Sequence, residues 1–211
     1  TGGGFTRPWA VPLVTCGGAL VAGLLVAAFA PEAKGHGTDA AIHAVHHEPT
    51  ALRGRVALVK IVASSLVIGS GGSGGREGPA AQISATVVSM LCGRFRVPRR
   101  DARIAVSAGM AAGIGAIFRA PLGGALLGAE LLYRNDLEAD AIMPSLVSSI
   151  TAYAVFGAVN GFQPIFGTMS ALTFTHPVTL VWFALLGVAA GLAGRVYAGL
   201  FQRGGAALRR L

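Results

Sequence analysis

Charge is scarce in this chain of 211 residues. Asp, Glu, Lys and Arg make up 12% of it, about half the ~25% of an ordinary soluble domain. Acidic side chains are the scarcer sign, 9 against 17 Lys and Arg. Cysteine is nearly absent: Cys16 and Cys92 are the only two, which excludes a disulfide scaffold. Hydrophobic residues reach 53% and mean hydropathy is +0.64, so the chain is far too apolar to be disordered. A membrane protein or an extremely apolar core remains, and the lengths of the uncharged runs decide between them.

Residues 8–31 form 24 positions without a charge, 141–175 another 35, and 177–194 another 18, against the roughly 20 that span a bilayer core. The first run is no signal peptide, because it has neither a basic leader nor a cleavage-like site before a soluble domain. The chain is predicted to be a multi-pass protein of the cell membrane, all-α. It starts at Thr1 rather than Met, so its beginning reads as trimmed. The runs 61–75, 79–93 and 104–118 hold 15 uncharged residues each and 120–129 only 10. They are too short for upright helices facing lipid, and predict short, broken and tilted ones. Such segments are tolerated where protein or a polar cavity surrounds them, and in transporters they bring helix ends to the ion. Tilted buried helices with no ion path would have the same lengths.

The basic residues suggest a topology. Arg53, Arg55 and Lys60, then Arg94, Arg96, Arg99, Arg100 and Arg103, then Arg134, then Arg203, Arg209 and Arg210 fall between or after apolar runs, whereas 157–175 has no Lys or Arg. The basic connections are predicted to be cytoplasmic and 157–175 external. The arginines at 94–103 are too few, and too little interleaved with aromatics beyond Phe95, for a nucleic-acid surface. Gly109-Met-Ala-Ala-Gly113 and Gly187-Val-Ala-Ala-Gly191 are small-xxx-small patterns that let helices approach closely in lipid.

The most informative stretch is Gly69-Ser-Gly-Gly-Ser-Gly-Gly-Arg-Glu-Gly-Pro79. Its formal G-x-G-x-x-G (Gly69, Gly71, Gly74) lacks the alternating strands, helices and downstream acid of a dinucleotide fold, and no Gly-Lys-Ser/Thr makes it a phosphate loop. A nucleotide-dependent membrane enzyme is the remote alternative. Pro79 suits the first turn of a helix, with Gly78 as a flexible lead-in. The amides around 76–80 would then face an anion at the positive end of a helix dipole. Amides hold an anion weakly enough to let it go, as a permeation path requires. Glu77 lies in the same place, and its carboxylate competes for the same amides, so Glu77 is predicted to gate. A capping carboxylate with no traffic to control is the plainer reading; intramembrane acids are functional candidates by default.

Gly75-Arg-Glu-Gly-Pro79 resembles the G-K/R-E-G-P signature of the CLC family of chloride channels and proton-coupled chloride transporters. The stretch from Gly109 through Phe118-Arg-Ala-Pro-Leu-Gly-Gly124 to Ala129-Glu130 is similar to the family's F-x-A-P-L-x-G segment and its following acid. Pro31-Glu-Ala-Lys-Gly-His-Gly-Thr38 lies where the family has a first filter loop, G-S-G-I-P. The resemblance implies a homodimer with one anion path per subunit, each subunit built of two inverted halves, with chloride or another small anion as partner and no cofactor. It makes Glu77 the gate, Arg76, Gly78 and Pro79 its loop, and Gly35, His36, Gly37 and Thr38 the inner loop. His36 stands where the family has a central serine, which bears on selectivity because imidazole changes charge with pH. Thr38 or Asp39 is expected to cap the helix that follows. Glu130 matches an acid that serves either as a structural carboxylate or as part of a proton path. Leu131 stands where proton-coupled members often have a second glutamate, which favours passive conduction over the chloride/proton antiporter alternative. The family's second-half loop G-x-F-x-P is absent, with Gly161-Phe-Gln-Pro164 a near miss. The expectation is that residues 1–211 are the N-terminal half of a subunit.

His43, His46, His47 and Glu48 could suggest a metal, but a zinc site needs three or four converging ligands, so solvated histidines are expected. No serine has a His and Asp partner at a recognisable spacing, and no enzyme activity is expected.

Overall fold

The computed structural model of the chain describes residues 9–130, 139–163, 165 and 177–208. Every regular element among them is helical, in two compact units divided after Ile165. The first holds α1 (Ala10–Phe29), a 3₁₀ turn (Pro31–Ala33), α2 (Thr38–His47), α3 (Gly54–Gly69), α4 (Glu77–Arg94), α5 (Arg99–Phe118), α6 (Pro121–Glu130) and α7 (Ala139–Asn160); the second holds α8 (Thr179–Leu208). Helices α1, α5, α7 and α8 are long and apolar enough to cross a membrane.

Several boundaries differ from the sequence expectation, that of α8 among them, which runs to Leu208 although its uncharged run ends at 194. The run 104–118 was too short for a span, yet α5 begins at Arg99 and reaches 20 residues. Its first turn consists of basic residues and Asp101, which Pro98 precedes in extended conformation. Polar residues in a helix's first turn lengthen it without adding to the apolar run. Likewise α3 starts at Gly54, seven positions before its uncharged run, and so carries Arg55 and Lys60 inside the helix. Arg53 and Arg55 are exposed, as a basic connection requires, but Lys60 is buried. It belongs to the helix packing and not to the cytoplasmic connection.

Helix α5 is the centre of the first unit, packing against α4, α6 and α7, while α2 touches α4 and α5, and α3 lies between α1 and α4. Small residues make these approaches possible. Gly109 and Gly113 face α4: a Cβ on Gly109 would stand 2.6 Å from Val88 Cγ2, and one on Gly113 2.7 Å from the Ala80 carbonyl oxygen. The first small-xxx-small pattern thus marks a helix contact; around Gly187 and Gly191 of α8 there is open space. On the other side of α5, Gly124 lies against the backbone of Gly115, where a Cβ would be 2.5 Å from the Gly115 nitrogen and 2.9 Å from the Ala111 oxygen. Two buried hydroxyls reinforce the layer, Ser107 donating to the Gly128 carbonyl at 2.8 Å and Ser149 to that of Pro121 at 2.7 Å.

Because backbone atoms cannot yield as a flexible side chain does, Gly124→Ala is expected to lose about 1–3 kcal/mol of stability through overpacking. Gly123→Ala, whose Cβ would meet Ala120 Cβ at an ordinary 3.7 Å, is the control. Thermal unfolding of the full-length protein in detergent checks the pair; equal Tm values would refute the assignment of Gly124 to a backbone contact.

Helices α4 and α5 end alike. The amide of Val97 donates to the Cys92 carbonyl at 2.9 Å and that of Ala120 to Gly115 at 3.0 Å, the long return bond of a Schellman end. The left-handed position in each is an arginine, Arg96 (φ 54°) and Arg119 (φ 53°). Glycine usually fills it. Arg119 is secured by donating to the Gln163 carbonyl, and its guanidinium lies 5.8 Å from the centre of the Phe156 ring. The turn between α5 and α6 is thereby tied to the end of α7.

Candidate anion site at two helix starts

The connection from the 3₁₀ turn to α2 passes through two left-handed glycines, Gly35 (φ 77°) and Gly37 (φ 91°). Gly37, not Thr38 or Asp39, is the cap residue of α2, and no side chain caps the helix. The reason is steric as well as conformational. A Cβ on Gly37 would stand 2.5 Å from Gln82 Oε1 and 2.9 Å from Gln82 Cβ, so α4 approaches this turn too closely for any other residue. The first helical bond of α2 runs from the Ala41 amide to the Gly37 carbonyl, 3.1 Å. The amides of Thr38, Asp39 and Ala40 therefore have no acceptor within the helix.

The second loop leads into α4, whose first residue is Glu77. Its first helical bond joins the Ala80 amide to the Arg76 carbonyl at 3.0 Å, leaving the Glu77 and Gly78 amides without an intrahelical acceptor, while Pro79 has no N–H to leave. Gly78 is not a flexible lead-in, as the sequence suggested, but a point of close approach within the helix. A Cβ there would overlap the His36 carbonyl oxygen and lie 3.2 Å from the His36 carbonyl carbon. The two loops singled out from sequence, 35–38 and 76–79, thus meet backbone to backbone at His36 and Gly78. Glu77 is half-buried, its carboxylate folded back over Gly75 so that a Cβ on Gly75 would be 3.3 Å from Glu77 Cδ. Gly37 is buried and Thr38 and Pro79 half-buried, while Gly35, His36 and Arg76 are exposed.

Glu130 is not brought to this place. It is the exposed last described residue of α6, and α6 packs on α5 and α7, with α5 between it and α4. Leu131, Arg134, Pro164, residues 166–176 and Arg209–Arg210 lie outside the described residues; the readings placed on them stand untouched.

Two residues close to the loops escaped sequence reasoning. Gln82 is fully buried and donates from Nε2 to the Glu32 carbonyl at 3.3 Å; a lone amide among apolar α4 residues was the available signal. Lys60 is 6% exposed and donates from Nζ to the carbonyls of Ala33 (2.8 Å) and Gly35 (2.7 Å). Its signal was an isolated charge inside a helix, obscured by grouping it with Arg53 and Arg55. A cavity of about 200 Å³ lies between α3 and both loops, lined among others by Lys60, Ser64, Gly35, Gly75 and Pro79.

Beneath the first loop, Glu32 accepts from Arg55 at 2.9 Å and lies 3.5 Å from Arg53. Its own backbone amide, then the Arg55 guanidinium, hold its carboxyl below the ordinary 4.5. A lowered carboxyl stabilises the fold above its unfolded value and loses that contribution as pH falls through the folded one. Glu32→Gln is therefore expected to lower Tm slightly at neutral pH and to match wild type well below pH 4.5, the effect being small because all partners are exposed. A Tm difference that persisted unchanged into acid would refute it.

The histidines lie at the end of α2, His43 and His47 stacked with ring centres 4.1 Å apart. Among the described residues no group of three or more His, Cys, Asp or Glu is arranged to hold a metal.

Helices α2 and α4 start side by side in a chain whose other helices include four long and apolar enough to cross a membrane, the build of an all-helical multi-pass membrane protein. The sequence model of the family described as Voltage gated chloride channel matches residues 18–211, and the chain belongs to that family. A putative chloride channel protein, ClcB-like, of Ralstonia nicotianae is 31% identical over 206 residues, 96% of this chain and 48% of the relative. A protein named chloride/fluoride channel protein of Pseudomonas syringae pv. tomato is 35% identical over 148 residues, 67% of this chain and 31% of the relative. An uncharacterized protein of Methanocaldococcus jannaschii is 30% identical over 167 residues, 78% and 40% respectively. The chain spans half or less of the length of these curated relatives.

Proposed function

We propose that this chain supplies one half of a chloride-conducting subunit, in which small anions pass the starts of α2 and α4 under the control of Glu77, and that the subunit works as a homodimer. The observation that carries this reading is the meeting of the two helix starts at His36 and Gly78, with the Glu77 carboxylate on the first residue of α4. Both helix dipoles turn their positive ends to one place, and the amides of their first turns are donors suited to an anion. No full positive charge is needed there, so residence is short and passage is possible. Names of relatives that specify chloride channels point the same way.

Anion flux from chloride-loaded liposomes carrying the full-length protein tests the reading. The expected result is passive chloride efflux with no proton movement against a gradient. Proton pumping driven by chloride would replace the channel with an antiporter on the same scaffold, and absence of any anion flux would overturn both. The nucleotide alternative has no support in the surroundings of Gly69, Gly71 and Gly74, which join two helices where a dinucleotide loop joins a strand to a helix.

A further inference from the structure

We propose that Gln82 is a specificity-determining residue, its side-chain oxygen taking a hydrogen bond from a water that travels with the anion; this rests on the reading of the loops as an anion path. Gln82 stands four residues after Gly78, so both belong to one face of α4. That face looks onto the first loop: Gly78 lies against the His36 carbonyl and Gln82 against Gly37. The amide is held one way round. Its Nε2 donates to the Glu32 carbonyl at 3.3 Å, and the reverse orientation would set two acceptor oxygens against each other. Oε1 is then the atom left beside Gly37, where a Cβ would stand 2.5 Å from it, and Gly37 is the cap residue of α2.

Gln82 is fully buried, and no hydrogen-bond donor among the described residues reaches Oε1. A buried acceptor in that state costs stability unless a donor is brought to it. A bare anion brings none, and a carbonyl oxygen repels it. Water brings two donors. Its own oxygen accepts, and the amides of Thr38, Asp39 and Ala40, without an acceptor inside α2, are the donors at hand. A water bridging the start of α2 to Oε1 binds nearly as well as a direct contact would. The pair of Gln82 and the α2 start therefore suits an anion that keeps part of its hydration shell, and one that has shed its water leaves Oε1 unpartnered. Discrimination is by hydration, with strongly hydrated chloride favoured over weakly hydrated thiocyanate.

The test compares wild type with Gln82→Met and Gln82→Leu in the full-length protein, reading liposome flux of chloride and of thiocyanate beside Tm. Where a variant conducts too little, calorimetric affinities for the two anions supply the same ratio. Methionine keeps the length of the side chain and loses the amide, so the ratio of thiocyanate to chloride is expected to rise about fivefold, the worth of one hydrogen bond. Should that variant fail to fold, leucine, one atom shorter and clear of Gly37, makes the same comparison. A residue that only packs α4 against the first loop would lower Tm and weaken both anions alike; an unchanged ratio overturns the proposal. Wild-type protein that neither binds nor moves either anion overturns the functional reading itself, which distinguishes the two failures.

Discussion

Glu77→Gln in the full-length protein is expected to conduct chloride at neutral pH as the wild type does in acid, with its dependence on pH flattened. The carboxylate sits on the first residue of α4, where a helix dipole favours a negative charge by up to about 2 kcal/mol in a partly buried setting. That preference corresponds to roughly 30-fold in occupancy, so a carboxylate that competes with the permeant ion closes the path most of the time until protonated or displaced. Glutamine keeps the size and removes the charge. The flux of wild type and variant across a pH series is the measurement. Unchanged conductance together with unchanged pH dependence would remove Glu77 from the mechanism and leave it a cap.

The second large effect is expected at the glycines on either side of that carboxylate, and the two should fail differently. Gly78→Ala puts a methyl into the His36 carbonyl. Backbone meets backbone, so the loops must part; the expected outcome is loss of about 1–3 kcal/mol of stability and of most chloride flux. Gly75→Ala puts its methyl against the end of the Glu77 side chain instead. A flexible side chain can swing aside, so stability should be nearly untouched while the pH dependence of flux shifts toward that of Glu77→Gln. Measuring Tm and flux for both variants separates the cases. Equal loss of stability at the two positions would show that the carboxylate does not lie over Gly75.

These expectations depend on what could and could not be read before the helices were placed. The starts of α2 and α4 were legible because their signals are local: Pro79 belongs in a first turn, and Thr38 and Asp39 are residues that begin helices. Their meeting was not legible, since it depends on how α2 and α4 cross. Gly78 therefore looked like freedom for the backbone when its function is to let another backbone close in. Gly37 was overlooked as a cap for the same reason, because Thr38 and Asp39 satisfy the local rule and only Gln82, forty-five positions away in sequence, excludes a side chain. Hydrophobic runs located α1, α7 and the start of α8, but the run 177–194 stops fourteen residues short of the end of α8, which carries Arg195 and Arg203 inside the helix. They shortened α3 and α5, whose first turns carry charge, and so moved Lys60 out of the packed interior. The arginine end of α5 was hidden as well, because Arg119 is held by contacts with Gln163 and Phe156 that no local pattern announces. Glu130 shows the opposite case: the motif that carries it is plain in the sequence, but its helix stands behind α5.

The glycine-to-glycine contact of α5 with α6 has a consequence for the tempo of conduction. Two backbones in direct contact have no side chain between them to rearrange, so the frame behind the helix starts has little room to flex. For the anion path proposed above, opening then falls to the Glu77 side chain, which can turn without any backbone following it. A stiff frame with one moving part suits an ion that must be released as readily as it is taken up.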